Sequence, residues 1–208
     1  MIEIEDLKIK VVNKRKTKHG DFRKGKNNSI ITINKTDNKY LFLLVIIHEF
    51  AHYNVFKKRI KTAPHGLGWK NEYKKLLNPV LNSKVFPNKL LELLNIHMIS
   101  PRSSFSYDSP LVKELNKYDS SNKDFIYLDK IEDGKKFKYG NGKVYKKIKK
   151  RRKRYLCIET MSKRNYLFLP HAKVELLWKK LQLAVILTQF MLDILNILKL
   201  QKSLEIGW

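Results

Sequence analysis

Residues 40–52 read YLFLLVIIHEFAH, and how this stretch folds decides how the rest of the chain is read. The apolar run 41–47 feeds without a break into His48-Glu49-Phe50-Ala51-His52. No Gly or Pro interrupts residues 40–56, and Asp37 and Asn38 stand where an N-cap belongs, so the stretch predicts a single helix. Residues four apart on a helix lie only about 40° apart around its axis, so both imidazoles leave the same face. Glu49, rotated by roughly 100° from His48, reaches the rim of whatever the histidines hold. Two neutral imidazoles on a metal with a carboxylate beside it is the pattern of a zinc hydrolase. The apolar run makes this an interior helix, where two His and a Glu are costly unless something satisfies them.

The rest of the composition frames that reading. A length of 208 residues allows one domain, or one plus a small appendage, and 43% hydrophobic residues supply a core. A net charge of +25 and a pI near 10.0 point to polyanionic partners, nucleic acid first, even after a discount for a Lys- and Asn-rich composition. The single cysteine, Cys157, excludes an internal disulfide and a Cys-based zinc ribbon. The first ten residues, MIEIEDLKIK, are acidic and alternating, unlike a signal peptide, so a cytoplasmic location is expected.

Residues 7–13 alternate as a strand and 29–34 (SIITIN) are β-branched, with 14–20 a basic turn region and Gly20-Asp21 and Gly25 punctuating them. The expectation is an α+β fold in which a small antiparallel sheet packs beside the 40–56 helix. Thr62-Ala63-Pro64-His65-Gly66 breaks the chain. Helices follow over 69–77 and 87–98, then a loop over 100–110 and a short helix over 111–118. From Phe125 the pattern changes to short strands with turns at Asp133-Gly134 and Gly140-Asn141-Gly142, a small β module ending near Glu175. Residues 178–200 read as a strongly apolar helix whose Gln182, Gln189, Asp193 and Asn196 share one stripe. That polar stripe favours docking on the body or a partner over spanning or anchoring in a membrane.

A catalytic zinc takes three protein ligands and leaves a fourth position open. A metzincin arrangement is excluded, because Val55 and Lys58 stand where its Gly and third His would be. Two candidates remain on the residues alone: His65, on a tight loop between two helices, and Glu72, twenty residues beyond His52 on the next helix.

At residues 48–69, HEFAHY followed by PHG-x-x-W resembles the SprT-like (Spartan-type) metallopeptidase family, whose pattern is His-Glu-x-x-His and then His-Gly-x-x-aromatic. The similarity runs from about residue 8 to residue 177, taking in KIKVVNKRKTKHGDFR before the helix and KYGNGKVYKKIKKRRKRYLCIE and YLFLPHAKVEL after it. The resemblance implies His48, His52 and His65 as ligands of one catalytic Zn2+, with Glu49 as general base, and favours His65 over Glu72. It implies a SprT-like domain over 1–120 built on a zincin-type helix, a basic β module over 121–177, and a helix over 178–208 that the family does not account for. In many relatives the β module is a zinc ribbon; with Cys157 alone, this one must hold by packing. Relatives also carry a helix before the first strand.

The expected activity is hydrolysis of peptide bonds in a protein substrate; Tyr53 and His19 are candidate oxyanion or substrate contacts, with a structural role the favoured reading of each. The stretch KKIKKRRKR contributes Lys146, Lys147, Lys149, Lys150, Arg151, Arg152, Lys153 and Arg154, flanked by Tyr145 and Tyr155. It is read as a salt-dependent, sequence-independent DNA contact, which also allows an association with the nucleoid. Two other functions compete with this one: a nucleic-acid-binding protein whose zinc is structural, and a membrane-surface peptidase anchored through 178–208.

Overall fold

The computed structural model describes residues 2–4, 6–15, 17–25, 28–120 and 125–177. The chain divides into two units, 1–122 and 123–208. Each is described by itself.

In the first unit the central element is helix α1, Lys39–Lys57. Asn38 caps it: its side-chain oxygen accepts from the Leu41 amide at 3.0 Å, and its Nδ2 donates to the Leu115 carbonyl at 2.7 Å and to Asp119 at 2.8 Å. One buried side chain thus starts α1 and ties it to the end of α4 (Ser109–Asn116). The apolar run shows no single stripe because α1 is covered on two sides. Val45 and Tyr53 face a sheet through Leu7, Ile9, Ile31 and Ile33. Leu44, Ile47 and Ala51 face three helices, α2 (Leu67–Leu77), α3 (Asn88–Ile99) and α4, through residues such as Trp69, Tyr73, Leu90 and Leu111.

The sheet comprises β1 (Ile2–Ile4), β2 (Leu7–Val12), β3 (Gly20–Arg23) and β4 (Ser29–Asn34), in the order β1-β2-β4-β3. It is mixed, which corrects the expectation of an antiparallel sheet: β2 and β4 run parallel, Leu7 opposite Ser29 through Val12 opposite Asn34. The reason is β3. Gly20-Asp21 was expected to punctuate a turn, yet it opens a strand that pairs antiparallel with β4 on the far side from β2. The 13–19 connection is held by Arg15, whose guanidinium donates to Asn34 (2.8 Å) and Thr32 (3.0 Å), while Asn34 donates back to the Lys18 carbonyl at 2.7 Å.

The second unit is a six-stranded antiparallel sheet, ordered β5-β10-β6-β7-β8-β9. Its strands are β5 (Ile126–Tyr127), β6 (Lys136–Lys138), β7 (Val144–Arg151), β8 (Arg154–Glu159), β9 (Asn165–Phe168) and β10 (Lys173–Leu176). Its core is aromatic: the Phe137, Tyr145 and Phe168 rings lie 4.9–5.7 Å apart around buried Cys157 and Leu128. Cys157 is free, and burial pushes its thiol up to about 12, so it is neither a metal ligand nor a nucleophile here.

The chain is therefore α+β. No helix among the described residues is long and apolar enough to cross a membrane. The expected helix over 178–200 lies outside the described residues.

Candidate metal centre

The three imidazoles come from two elements. His48 and His52 leave the same side of α1 one turn apart, as the spacing requires. His65 comes from the turn 63–66, where the Gly66 amide donates to the Ala63 carbonyl at 2.8 Å. Pro64 occupies the second position of that turn and His65 the third, with φ +57°. That is the type II pattern, which puts a left-handed residue where glycine or asparagine is usual. A non-glycine residue held there is strained at a cost of about 1–3 kcal/mol, and such strain clusters at functional sites. Gly66 then permits the close approach that starts α2: a Cβ there would lie 2.5 Å from the Thr62 hydroxyl and 2.9 Å from the Ala63 carbonyl.

The result is a triangle of Nε2 atoms: His48 to His52 3.3 Å, His52 to His65 2.9 Å, His65 to His48 3.2 Å. Nitrogens 2.0–2.1 Å from one zinc in a tetrahedron stand about 3.3–3.4 Å apart. The donor set and its spacing therefore fit a tetrahedral ion with one position left over. His48, His52 and His65 form the group able to hold a metal among the described residues. Burial, with each imidazole disfavouring charge on its neighbours, lowers His48 to about 3 and His52 to about 4; burial alone lowers His65. All three are neutral at pH 7, the form that ligates.

Trp69 forms the floor. It is 1% exposed, its ring lies 4.7 Å from those of His48 and His65 and 5.5 Å from that of His52, and its Nε1 donates to the His48 carbonyl at 3.4 Å. Behind it Tyr73 stacks at 5.0 Å, buried, with its hydroxyl unpartnered. Burial raises that hydroxyl's pKa, so Tyr73 is a packing ring and not an acid.

Glu49 points away from the triangle's floor toward β3. It is buried, and burial first, then the Asp21 carboxylate, pushes it up to about 7 against the opposing effect of the Phe22 amide, which donates to it, and of Arg15 and Lys18. Among the described residues no cation pairs with it. Room for the carboxylate comes from Gly20: a Cβ there would stand 2.5 Å from Oε1, 2.8 Å from the Glu49 Cγ and 2.7 Å from the Val45 Cγ1. This glycine, which sequence reasoning took for punctuation, makes the room that the Glu49 carboxylate occupies. We expect Gly20→Ala to displace the carboxylate while leaving the imidazoles in place, costing about 1–3 kcal/mol of stability. The variant should bind metal normally yet be impaired in hydrolysis; unchanged kcat would contradict this.

The other candidates lie elsewhere. Glu72 is buried against α1, where it accepts from Lys58 (2.6 Å) and Asn54 (3.1 Å), contacts that hold its carboxyl below the usual range. The structure brings His65, not Glu72, to the pair. Tyr53 donates to Asp6 at 2.5 Å on the sheet side of α1, a structural role and not an oxyanion contact. His19 is exposed just before β3, and its carbonyl pairs with the Asn34 amide.

In the second unit, β7 and β8 form a hairpin turning at Arg152-Lys153, with Arg152 at φ +44°. Lys146, Lys149, Lys150, Arg151, Arg152, Lys153 and Arg154 are exposed on it. Lys147 is the correction: at 4% exposure it faces the core like Tyr145, donating to the Ile131 carbonyl, pairing with Asp133 at 3.2 Å and lying 4.0 Å from the centre of the Tyr155 ring. Tyr145 and Tyr155 are themselves buried and so are not stacking platforms for bases.

The two kinds of shift give opposite pH dependences in metal-free protein. A carboxyl raised from 4.5 to about 7 binds more protons folded than unfolded, so its contribution to stability is lost as pH rises between those values. Imidazoles lowered from 6.5 act in the other direction: their contribution is lost as pH falls from 6.5 through about 4 and about 3. Chelated Glu49→Gln should thus exceed chelated wild type by on the order of 2–3 kcal/mol at pH 8, and the gain should shrink toward pH 5. Urea unfolding at the two pH values measures it; an equal gain at both would show that the carboxylate is not the cause.

The chain matches no protein-family model, no curated protein and no solved structure.

Proposed function

We propose that this protein is a zinc-dependent metallopeptidase of SprT-like type that hydrolyses peptide bonds in proteins on or near nucleic acid. The observation carrying the proposal is the convergence of three imidazole Nε2 atoms within 3.3 Å of one another, with a buried carboxylate on the adjacent residue that no cation pairs with among the described residues. His48, His52 and His65 would hold the ion, and the three-ligand set is that of a catalytic rather than a closed structural site. Zinc bound there supplies Lewis acidity, polarising a peptide carbonyl and acidifying water. Glu49 accepts the proton of the attacking water on its carboxylate and returns it to the leaving nitrogen. The Phe22 amide fixes that carboxylate, and Trp69 excludes water from behind the imidazoles. The free edge of β3, where the Gly20 N–H and C=O and the Phe22 C=O point away from β4, offers main-chain pairing to an extended substrate.

The test is metal content with casein hydrolysis. Wild type and Glu72→Ala should each carry one zinc per chain, and His65→Ala should lose it; chelation should stop hydrolysis and added zinc restore it. A wild type that stays metal-free after zinc dialysis defeats the proposal.

A second function, a nucleic-acid-binding protein with non-catalytic zinc, is favoured by the seven exposed cations of the β7–β8 hairpin. If six or more engage phosphates, DNA affinity should fall by roughly 10³-fold between 50 and 200 mM salt. Salt-dependent binding without hydrolysis, with or without DNA, would select this alternative.

A further inference from the structure

One wall of the metal site is shared with a second cavity. The His65 ring that contributes to the triangle also lines a pocket of about 470 Å³, together with Pro64, Lys70 of α2, and Arg102 and Tyr107 of the loop after α3. The volume lies in the range of sites that accept a side chain together with part of its neighbour. No carboxylate lines it. Among the described residues neither Lys70 nor Arg102 forms an ion pair. The loop acid nearest in sequence, Asp108, is already engaged: one oxygen lies 3.3 Å from His97 Nδ1 and the other accepts from the Leu111 amide.

The loop bearing Arg102 is tied down along its length. Lys74 donates to the Ile99 carbonyl at 3.1 Å, Phe105 packs on the buried His97 ring at 5.4 Å, and the Ser104 and Ser106 hydroxyls bond at 2.8 Å. Lys70 sits one residue beyond Trp69 on the helix that floors the imidazoles. Two unpaired cations are thus carried on supported elements around a cavity that opens beside His65. Arranged so, they recognise negative charge, and an anion there gains from both without breaking an existing pair.

We propose that this pocket is a specificity subsite, in which Lys70 and Arg102 select an acidic side chain of the peptide substrate close to the bond being cut. The proposal rests on the peptidase function above and names the substrate class for it. A peptide is favoured over a nucleic-acid phosphate because this shallow, open pocket lies directly against a metal-ligand side chain and carries only two cations, whereas a strand of phosphates calls for a continuous cationic track.

The experiment separates binding from chemistry. Full-length Glu49→Gln protein with zinc is titrated with fluorescein-labelled peptides in which a single Glu, or a matched Gln, is moved along an otherwise uncharged frame. At one register the Glu peptide should bind about tenfold tighter than its Gln twin. In the Lys70→Glu/Arg102→Glu background that preference should vanish, and a Lys at the same register should become favoured. Lys84→Glu/Lys89→Glu removes the same charge from exposed positions outside the pocket and should leave the Glu/Gln ratio intact. The proposal is overturned by a ratio near one at every register, by no peptide binding at all, or by a ratio that both double variants lower equally, which would mean general surface charge. It is also overturned if Lys70→Glu/Arg102→Glu weakens oligonucleotide binding and leaves the peptide ratio unchanged. Casein hydrolysis by the protein with Glu49 intact scores the peptidase function separately: cleavage without Glu selection sinks only the subsite, and Glu-selective binding without cleavage sinks only the peptidase.

Discussion

With Glu49 replaced by glutamine, the protein is expected to keep one zinc per chain and to lose about 10²–10⁴-fold in peptide hydrolysis. Glutamine matches the carboxylate in shape, still accepts from the Phe22 amide, and fits the space left by Gly20, so the imidazole triangle should not move. What it cannot do is accept a proton. The loss should therefore fall on kcat, with KM little changed, because in the proposed mechanism Glu49 is engaged only as the water attacks. Zinc titration and casein kinetics on one preparation decide the matter. Hydrolysis at the wild-type rate would remove Glu49 from the role, and a parallel loss of zinc would make it a structural element of the site.

Trp69→Ala is expected to be the most damaging single change at the metal centre outside the ligands. Removing a fully buried indole costs about 3–5 kcal/mol. Here the ring also contacts all three imidazoles. The cavity should free His65 in particular, since its backbone sits in a strained turn and its ring meets the indole in a T-shaped contact. Unfolding in urea should show the stability loss, and competition with a zinc-binding dye should show weakened affinity. Trp69→Phe restores a ring but not the Nε1 bond to the His48 carbonyl, so it should recover most of both, short by about 1 kcal/mol. An alanine variant with wild-type zinc affinity would mean that α1 and the 63–66 turn position the three imidazoles without the indole.

What was legible in the sequence was local. The period and cap of α1 place His48, Glu49 and His52, and Asn38 caps the helix with its side chain as the residues predict. Pro64 and Gly66 mark the bend that carries His65. What was hidden depended on distant neighbours. Gly20-Asp21 has the composition of a turn, yet the glycine is required by a carboxylate on another element, so β3 and the parallel β2–β4 pairing stayed invisible. The inward turn of Lys147 follows strand alternation from Tyr145, with the register then shifting between Lys147 and Lys149. A run of like charges masks that alternation. β10 is four residues long and is recruited between β5 and β6 from the end of the module, a long-range pairing with no local signature.

Glu49 is steadied by the main chain of residue 22 rather than by that residue's side chain. The Phe22 ring also packs against Tyr53 and Phe56, so position 22 should accept other large apolar residues but not proline, which brings no N–H, while position 20 is confined to the smallest residue. A saturation library over 20–23 selected for function should return that uneven tolerance: a set of bulky apolar residues at 22 beside glycine alone at 20.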